Sequence, residues 1–153
     1  MPVKFYADSS FLMAVFTANV HSPKALRFTE RERPVVTMNE LGRFEVLNAL
    51  ARLPKEDALA SSARFEQSFG GVLVFEPSDW SRAWPEAENR ARKLSPRLKP
   101  SALDLLHVAM ASHHVASHFL SFDSNSRQRP LAASAGLKVW PELTRQERGR
   151  VVR

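Results

Sequence analysis

The chain has 153 residues, of which 44% are hydrophobic, 25% charged and 9% aromatic, and it contains no cysteine. Such a chain fits one soluble domain that can bury its own core, and it excludes a disulfide scaffold, a Cys-ligated zinc site, an iron–sulfur cluster and a thiol nucleophile. The formal net charge is +6, and 16 of the 22 basic residues are Arg, which favours polyanionic partners and bidentate phosphate contacts.

In chain order, Val3–Ala7 reads as a short strand ending at Asp8. Ser9–Ala18 follows as a helix with apolar Phe11, Leu12, Val15 and Phe16. Ser22 with Pro23 opens a second helix to about Arg31, since Pro suits the first helical position. Pro34–Thr37 is a second strand. The spacing of Thr37 and Glu40 predicts a capping box and a helix to Leu53, stopped by Pro54. A further helix runs from Pro54 to Phe69 and ends at Gly70 and Gly71. Val72–Phe75 is the third strand, and Ser78 is placed to cap a helix through Leu94.

Residues 95–100 carry Pro96 and Pro100 and are expected to form a loop, the best candidate for a mobile segment. Ser101 to Ala116 reads as a strong helix, and His118–Phe122 as a fourth strand ending at Asp123. Residues 124–130 form a polar, basic loop. Leu131–Ala135 is helical with Gly136 as its C-cap, and Leu137–Trp140 is the fifth strand. Strands alternating with helices imply an α/β fold with a parallel sheet. One domain is expected over residues 1–143, followed by a basic tail over 144–153 that is frayed or forms an extra helical turn. Met1–Ser10 lacks the pattern of a secretory signal, and no apolar run approaches the ~20 residues of a membrane span. With the lack of cysteine, this fits a cytoplasmic protein with no membrane contact.

Only five Asp occur, at 8, 57, 79, 104 and 123. Asp8 and Asp123 directly follow strands, and ligands of open parallel sheets bind beyond the strands' carboxyl ends. An N-cap explains Asp8 equally well, and an Asx turn explains Asp123. Asp104 forms a second capping-box pattern with Ser101, yet the helix it opens is otherwise apolar or small through Ala111. His107 shares its face at i, i+3, where a satisfied core histidine is the commoner outcome. Glu45 lies two turns into its helix, where it either pairs on the surface with Arg43 or Arg52 or stands partly buried.

Together these segments resemble the motifs of PIN-domain nucleases. Tyr6-Ala7-Asp8-Ser9-Ser10 is similar to the first motif, and the stretch from Val36 through Glu45 to Arg52 to the second. Ala102-Leu103-Asp104-Leu105-Leu106-His107 resembles the third, and Phe119-Leu120-Ser121-Phe122-Asp123 the fourth. The resemblance implies a single three-layer α/β/α domain with a short, mainly parallel sheet of about five strands. It also implies that Asp8, Glu45, Asp104 and Asp123 form the catalytic and metal-binding set, with Asp8 and Asp104 as the most direct ligands. Ser9, Ser121 and His107 would support them. Ser121 stands where Thr is common, and Asn125 stands where some relatives carry a fifth acid, so one or two metal ions remain open.

Size and charge look like the VapC-type toxins of type II toxin–antitoxin pairs. The resemblance therefore implies an endoribonuclease toxin, an RNA substrate, a small cognate antitoxin, and a homodimer or higher toxin–antitoxin assembly. A DNA or structure-specific nuclease and a non-catalytic binding module are the alternatives. Four converging carboxylates require cations or protons, since two at ~4 Å repel by about 4 kcal/mol at an effective dielectric of 20. Hard oxygen donors without Cys favour Mg2+, with Mn2+ as substitute, over Zn2+. Arg43, Arg97, Lys99, Arg127 and Arg129 lie near the motif acids or in flanking loops and are the expected phosphate contacts. Phe11, Phe16 and Phe28 exceed what short peripheral helices need and are expected at an interface. Two look-alikes fail on residues. A haloacid-dehalogenase phosphatase wants Asp where Ser10 stands, and a phosphoacceptor receiver wants Asp where the third strand ends at Phe75-Glu76-Pro77.

Overall fold

The computed structural model describes residues 3–69, 71 and 73–153. The first strand, β1 (Lys4–Ala7), runs into α1 (Ser9–Phe16), and α2 (Ser22–Glu32) returns the chain to β2 (Val35–Met38). Helices α3 (Glu40–Leu50) and α4 (Lys55–Gln67) precede β3 (Leu73–Phe75). Then come α5 (Trp80–Leu98), α6 (Ala102–His113), β4 (His118–Leu120), α7 (Gln128–Ser134), β5 (Lys138–Trp140) and α8 (Arg145–Arg150). Gly70 and Val72, read above as a helix end and a strand start, lie outside the described residues.

All strand pairs are parallel, in the order β3-β2-β1-β4-β5. The order reverses between β1 and β4, so a crevice opens at their carboxyl ends. Strand alternation divides the core into two layers. Phe5 and Ala7 join Phe11, Leu12, Phe28, Val36, Met38 and Leu120 on the face covered by α1–α4. Tyr6 points the other way, to Leu98, Leu105, Val108, Phe119 and Leu131 under α5–α7. This is the expected three-layer α/β/α arrangement.

Four local expectations are corrected. Asn39, not Thr37, caps α3, with its side chain accepting from Gly42 N at 3.0 Å, while Thr37 lies inside β2. Asp79 caps α5 in place of Ser78. Residues 95–98 are helical, and the expected loop shrinks to the turn at Lys99, whose φ is +52°. An interior Pro costs ~3 kcal/mol, but burial of a Leu returns about 1.5–3 kcal/mol. Leu98 is buried and Leu94 packs on the same cluster, so the last turn is held from below despite Pro96. Phe11 and Phe28 are core residues, 1% and 5% exposed, rather than free interface side chains, whereas Phe16 is half-buried and lines an apolar groove with Leu12 and Val15.

The C-terminal segment is docked. Thr144 and Glu147 form the capping box of α8, and Glu147 pairs with Arg129 of α7 at 3.0 Å, both side chains being buried. Val152 N donates to Ser134 Oγ at 2.8 Å. Among the described residues no helix is long and apolar enough to cross a membrane.

Candidate active site

The crevice between β1 and β4 holds a cleft of about 230 Å³, whose lining includes Asp8, Glu45, Asp104, His107, Asp123 and Ser126. Its four carboxylates reach it from four different elements. Asp8, Asp104 and Asp123 also satisfy local backbone N–H groups, so for these three the structural and functional readings are compatible.

Asp8 sits where β1 becomes α1 and caps that helix, accepting from Phe11 N at 3.1 Å. Ser10 Oγ donates to the same oxygen at 2.6 Å, and Ser121 Oγ donates to the other at 2.5 Å. Ser10 Oγ in turn accepts from Phe122 N at 2.9 Å, and Ser121 Oγ from Asp123 N at 3.1 Å. The ends of β1 and β4 are thus tied together around one carboxylate. Burial pushes the Asp8 carboxyl above its ordinary range, and these donors only partly offset it.

Asp104 completes the predicted capping box: its Oδ2 accepts from Ser101 N at 2.9 Å while its own N–H donates to Ser101 Oγ at 3.1 Å. The cap fixes the rotamer of a side chain only 6% exposed, and Oδ1 lies outside these bonds. Asp123 forms the predicted Asx turn, with Oδ1 accepting from Asn125 N and Ser126 N, each at 3.1 Å.

Glu45 neither pairs with Arg43 nor with Arg52; Oε2 accepts from His107 Nε2 at 2.7 Å. A carboxylate only accepts, so Nε2 carries a hydrogen, and in the neutral ring Nδ1 is left to accept from Tyr6 Oη at 2.8 Å. Burial raises the Tyr6 phenol well above its ordinary range, and the Glu45 and Asp8 charges add to the rise, so it stays a donor. For Glu45, burial acts upward, but the hydrogen bonds from His107 and Ser9 outweigh it and hold the carboxyl low. Tyr6 and Ser10 are the supporting residues that the sequence reading did not assign. The adjacent hydroxyl of Ser10 was visible, whereas the Tyr6–His107 bond joins residues 101 apart in sequence and left no local signal.

Of the expected phosphate contacts, Arg129 is ruled out. It is 4% exposed and pairs with Glu147. Its guanidinium also donates to Ser121 O, to Pro141 O at 2.7 Å and to Glu142 O at 3.0 Å. Every nitrogen is committed to the fold, and a phosphate cannot reach it. Arg43 pairs with Glu66 at 2.7 Å and lies over the Phe69 ring. Arg97 and Lys99 are exposed, Arg127 is half-buried, and none of the three is in an ion pair among the described residues. Arg127 adjoins Ser126 and Gln128, both in the cleft lining.

The donor set is chemically suited to a hard divalent cation: oxygen ligands only, with Asp104 Oδ1 and Asp123 Oδ2 outside the hydrogen bonds above. Among the described residues, no three His or acidic side chains are grouped closely enough to hold an ion as they stand.

Three solved structures share this fold. VapC20 of Mycobacterium tuberculosis, a sarcin–ricin loop cleaving toxin, has a TM-score of 0.64 at 18% identity, covering 87% of this chain and 95% of its own. FitAcB from Neisseria gonorrhoeae has a TM-score of 0.66 at 15% identity, covering 88% and 95%. PAE2754 from Pyrobaculum aerophilum has a TM-score of 0.57 at 19% identity, covering 91% and 90%. No curated protein matches the sequence significantly. The PIN domain family model matches residues 5–130. That match begins inside β1 and ends in α7, so it takes in every acid of the cleft, and the chain belongs to the PIN-domain family.

Proposed function

We propose that the protein is a Mg2+- or Mn2+-dependent endoribonuclease and the toxin of a type II toxin–antitoxin pair. The observation that carries this reading is the family match over residues 5–130 together with four carboxylates lining one cleft. Asp8 and Asp104 are the principal ligands in this reading, and Glu45 and Asp123 complete the set. A divalent ion bound there supplies an activated water and countercharge for the phosphate and its leaving oxygen.

The chain's own residues do the rest. Ser10 and Ser121 fix both oxygens of Asp8, and the Ser101 cap fixes Asp104. Tyr6 and His107 hold Glu45 at the cleft wall. We assign Arg97, Lys99 and Arg127 to the phosphate backbone, since none of the three is in an ion pair among the described residues.

The test is cleavage of matched RNA and DNA oligomers by purified protein. RNA cleavage that EDTA stops, that Mg2+ or Mn2+ restores and that Zn2+ restores poorly is the expected result. Asp8→Asn and Asp104→Asn should each abolish it. Full cleavage in excess chelator, or by both variants, removes the metal-site reading. Cleavage of DNA alone makes the protein a DNA nuclease, and loss of all cleavage in clean protein makes it a binding module.

The proposed partners are a small antitoxin, encoded beside the toxin, and a second copy of this chain. A basic antitoxin side chain in the cleft can neutralise the carboxylates without bringing a reactive water. A co-expressed neighbour should co-purify and restore growth, and removing its basic residue should relieve inhibition. A monomer by light scattering at micromolar concentration removes the dimer.

A further inference from the structure

A second concavity, of about 630 Å³, lies away from the acid cleft between α2 and the edge strand β5. It is lined by Lys24, Arg27, Phe28, Glu30, Arg31 and Trp140. The three cations stand at i, i+3 and i+7, on one face of α2, and span ~10 Å of its axis. The Lys24 ammonium lies 5.8 Å from the centroid of the Trp140 ring. Three cations face one lining carboxylate, Glu30; Arg31 also meets Glu32 at 2.6 Å, in an exposed pair of little worth.

The end of β4 links this groove to the acid cleft. Trp140 is paired in register with Leu120 at the end of β4, directly before Ser121, Phe122 and Asp123. Phe122 packs 5.5 Å from Trp140. His21, exposed at the start of α2, stacks on Phe122 at 4.5 Å. An aromatic step therefore bridges Asp123 and the basic face of α2, and from Lys24 the helix runs away from the cleft.

We propose that this groove is a second nucleic-acid contact, which holds the backbone of single-stranded RNA flanking the scissile bond. Lys24, Arg27 and Arg31 take phosphates, and His21 offers a stacking face to a base between groove and cleft. The proposal rests on reading the cleft as a ribonuclease site. Cations beside aromatic rings match a single strand, in which charge and base alternate. Only Phe28 and Trp140 supply apolar lining, too little for the hydrophobic face of a protein helix.

The test is the triple variant Lys24→Ala/Arg27→Ala/Arg31→Ala in the full chain, with folding checked by circular dichroism. Binding to a labelled RNA of about 12 nucleotides, long enough to span both sites, is read first by anisotropy in EDTA. Affinity should fall about tenfold or more, and the slope of log affinity against log salt should flatten by about 2, as expected for three single-strand phosphate contacts. In cleavage, KM for the long RNA should rise with kcat unchanged, while an RNA of about 4 nucleotides, too short to reach the groove, should be unaffected. Unchanged affinity and slope overturn the proposal. So does unchanged RNA binding with weakened capture of a co-expressed antitoxin, which would make this a protein surface. Wild-type protein that binds with the expected slope but never cleaves removes the nuclease reading and leaves the groove standing.

Discussion

Asp8 carries a conflict that can be measured. Its carboxylate is buried, and its carboxyl is held above the ordinary value of 3.8, so ionisation costs folding energy. Above the folded-state value the charged form burdens the native state; below the unfolded-state value both states are protonated and the burden disappears. Asp8→Asn should therefore melt higher than wild type in metal-free buffer at neutral pH. The advantage should shrink as the pH falls towards the ordinary carboxyl range. Equal melting temperatures throughout would mean that Ser10, Ser121 and Phe11 satisfy the charge fully. Tyr6→Phe tests the other supporting chain. It strands His107 Nδ1 in the core and should cost about 1–3 kcal/mol in urea unfolding. It should also lower cleavage by freeing Glu45. The acids themselves were legible in the sequence, because Asp is scarce here and two of the five follow strands. Their donors were less so: Ser121 reaches Asp8 across 113 residues, a pairing that only the sheet creates.

Among the elements, the pair between α7 and α8 has the largest predicted effect. Burial alone would raise the Glu147 carboxyl, but Arg129 and Thr144 outweigh it and hold it low. Its contribution to stability is thus present above the ordinary carboxyl range and is lost as the pH falls through the depressed value. Glu147→Ala leaves a buried guanidinium without its counter-ion and should cost about 3–5 kcal/mol in urea unfolding. The double variant Arg129→Met/Glu147→Leu should lose less, since no buried charge is stranded, although the carbonyls of Ser121, Pro141 and Glu142 lose their donor. If the single and double variants lose equally, the charge argument fails and only lost packing remains. Arg129 also shows where sequence reading stops. A loop arginine beside a motif acid looks like a phosphate ligand until α8 is seen folding back over it. Helix α5 teaches the complementary point: Pro96 is a local stop signal, and the buried Leu98 beyond it overrides that signal.

At the scale of the molecule, the charge of +6 is distributed rather than concentrated at the cleft, whose lining is acidic. RNA affinity should accordingly fall steeply with salt, with Arg97, Lys99 and Arg127 contributing beside the α2 face. A flat salt response would remove the electrostatic account. The layers and the acid cleft follow from periodicity and the family motifs, whereas the strand order and the electrostatic surface do not. Which arginines are free is decided by long-range partners such as Glu66 and Glu147.

The knot of hydroxyls around Asp8 also sets an order of events during synthesis. Asp8 is among the first residues made, while Ser121 and Phe122, which hold it and its neighbour Ser10, follow more than a hundred residues later. Until β4 has emerged and paired with β1, the early carboxylate has no wall opposite it and the cleft does not exist. A ribosome stalled before that point therefore carries a chain whose acid cleft is not yet assembled.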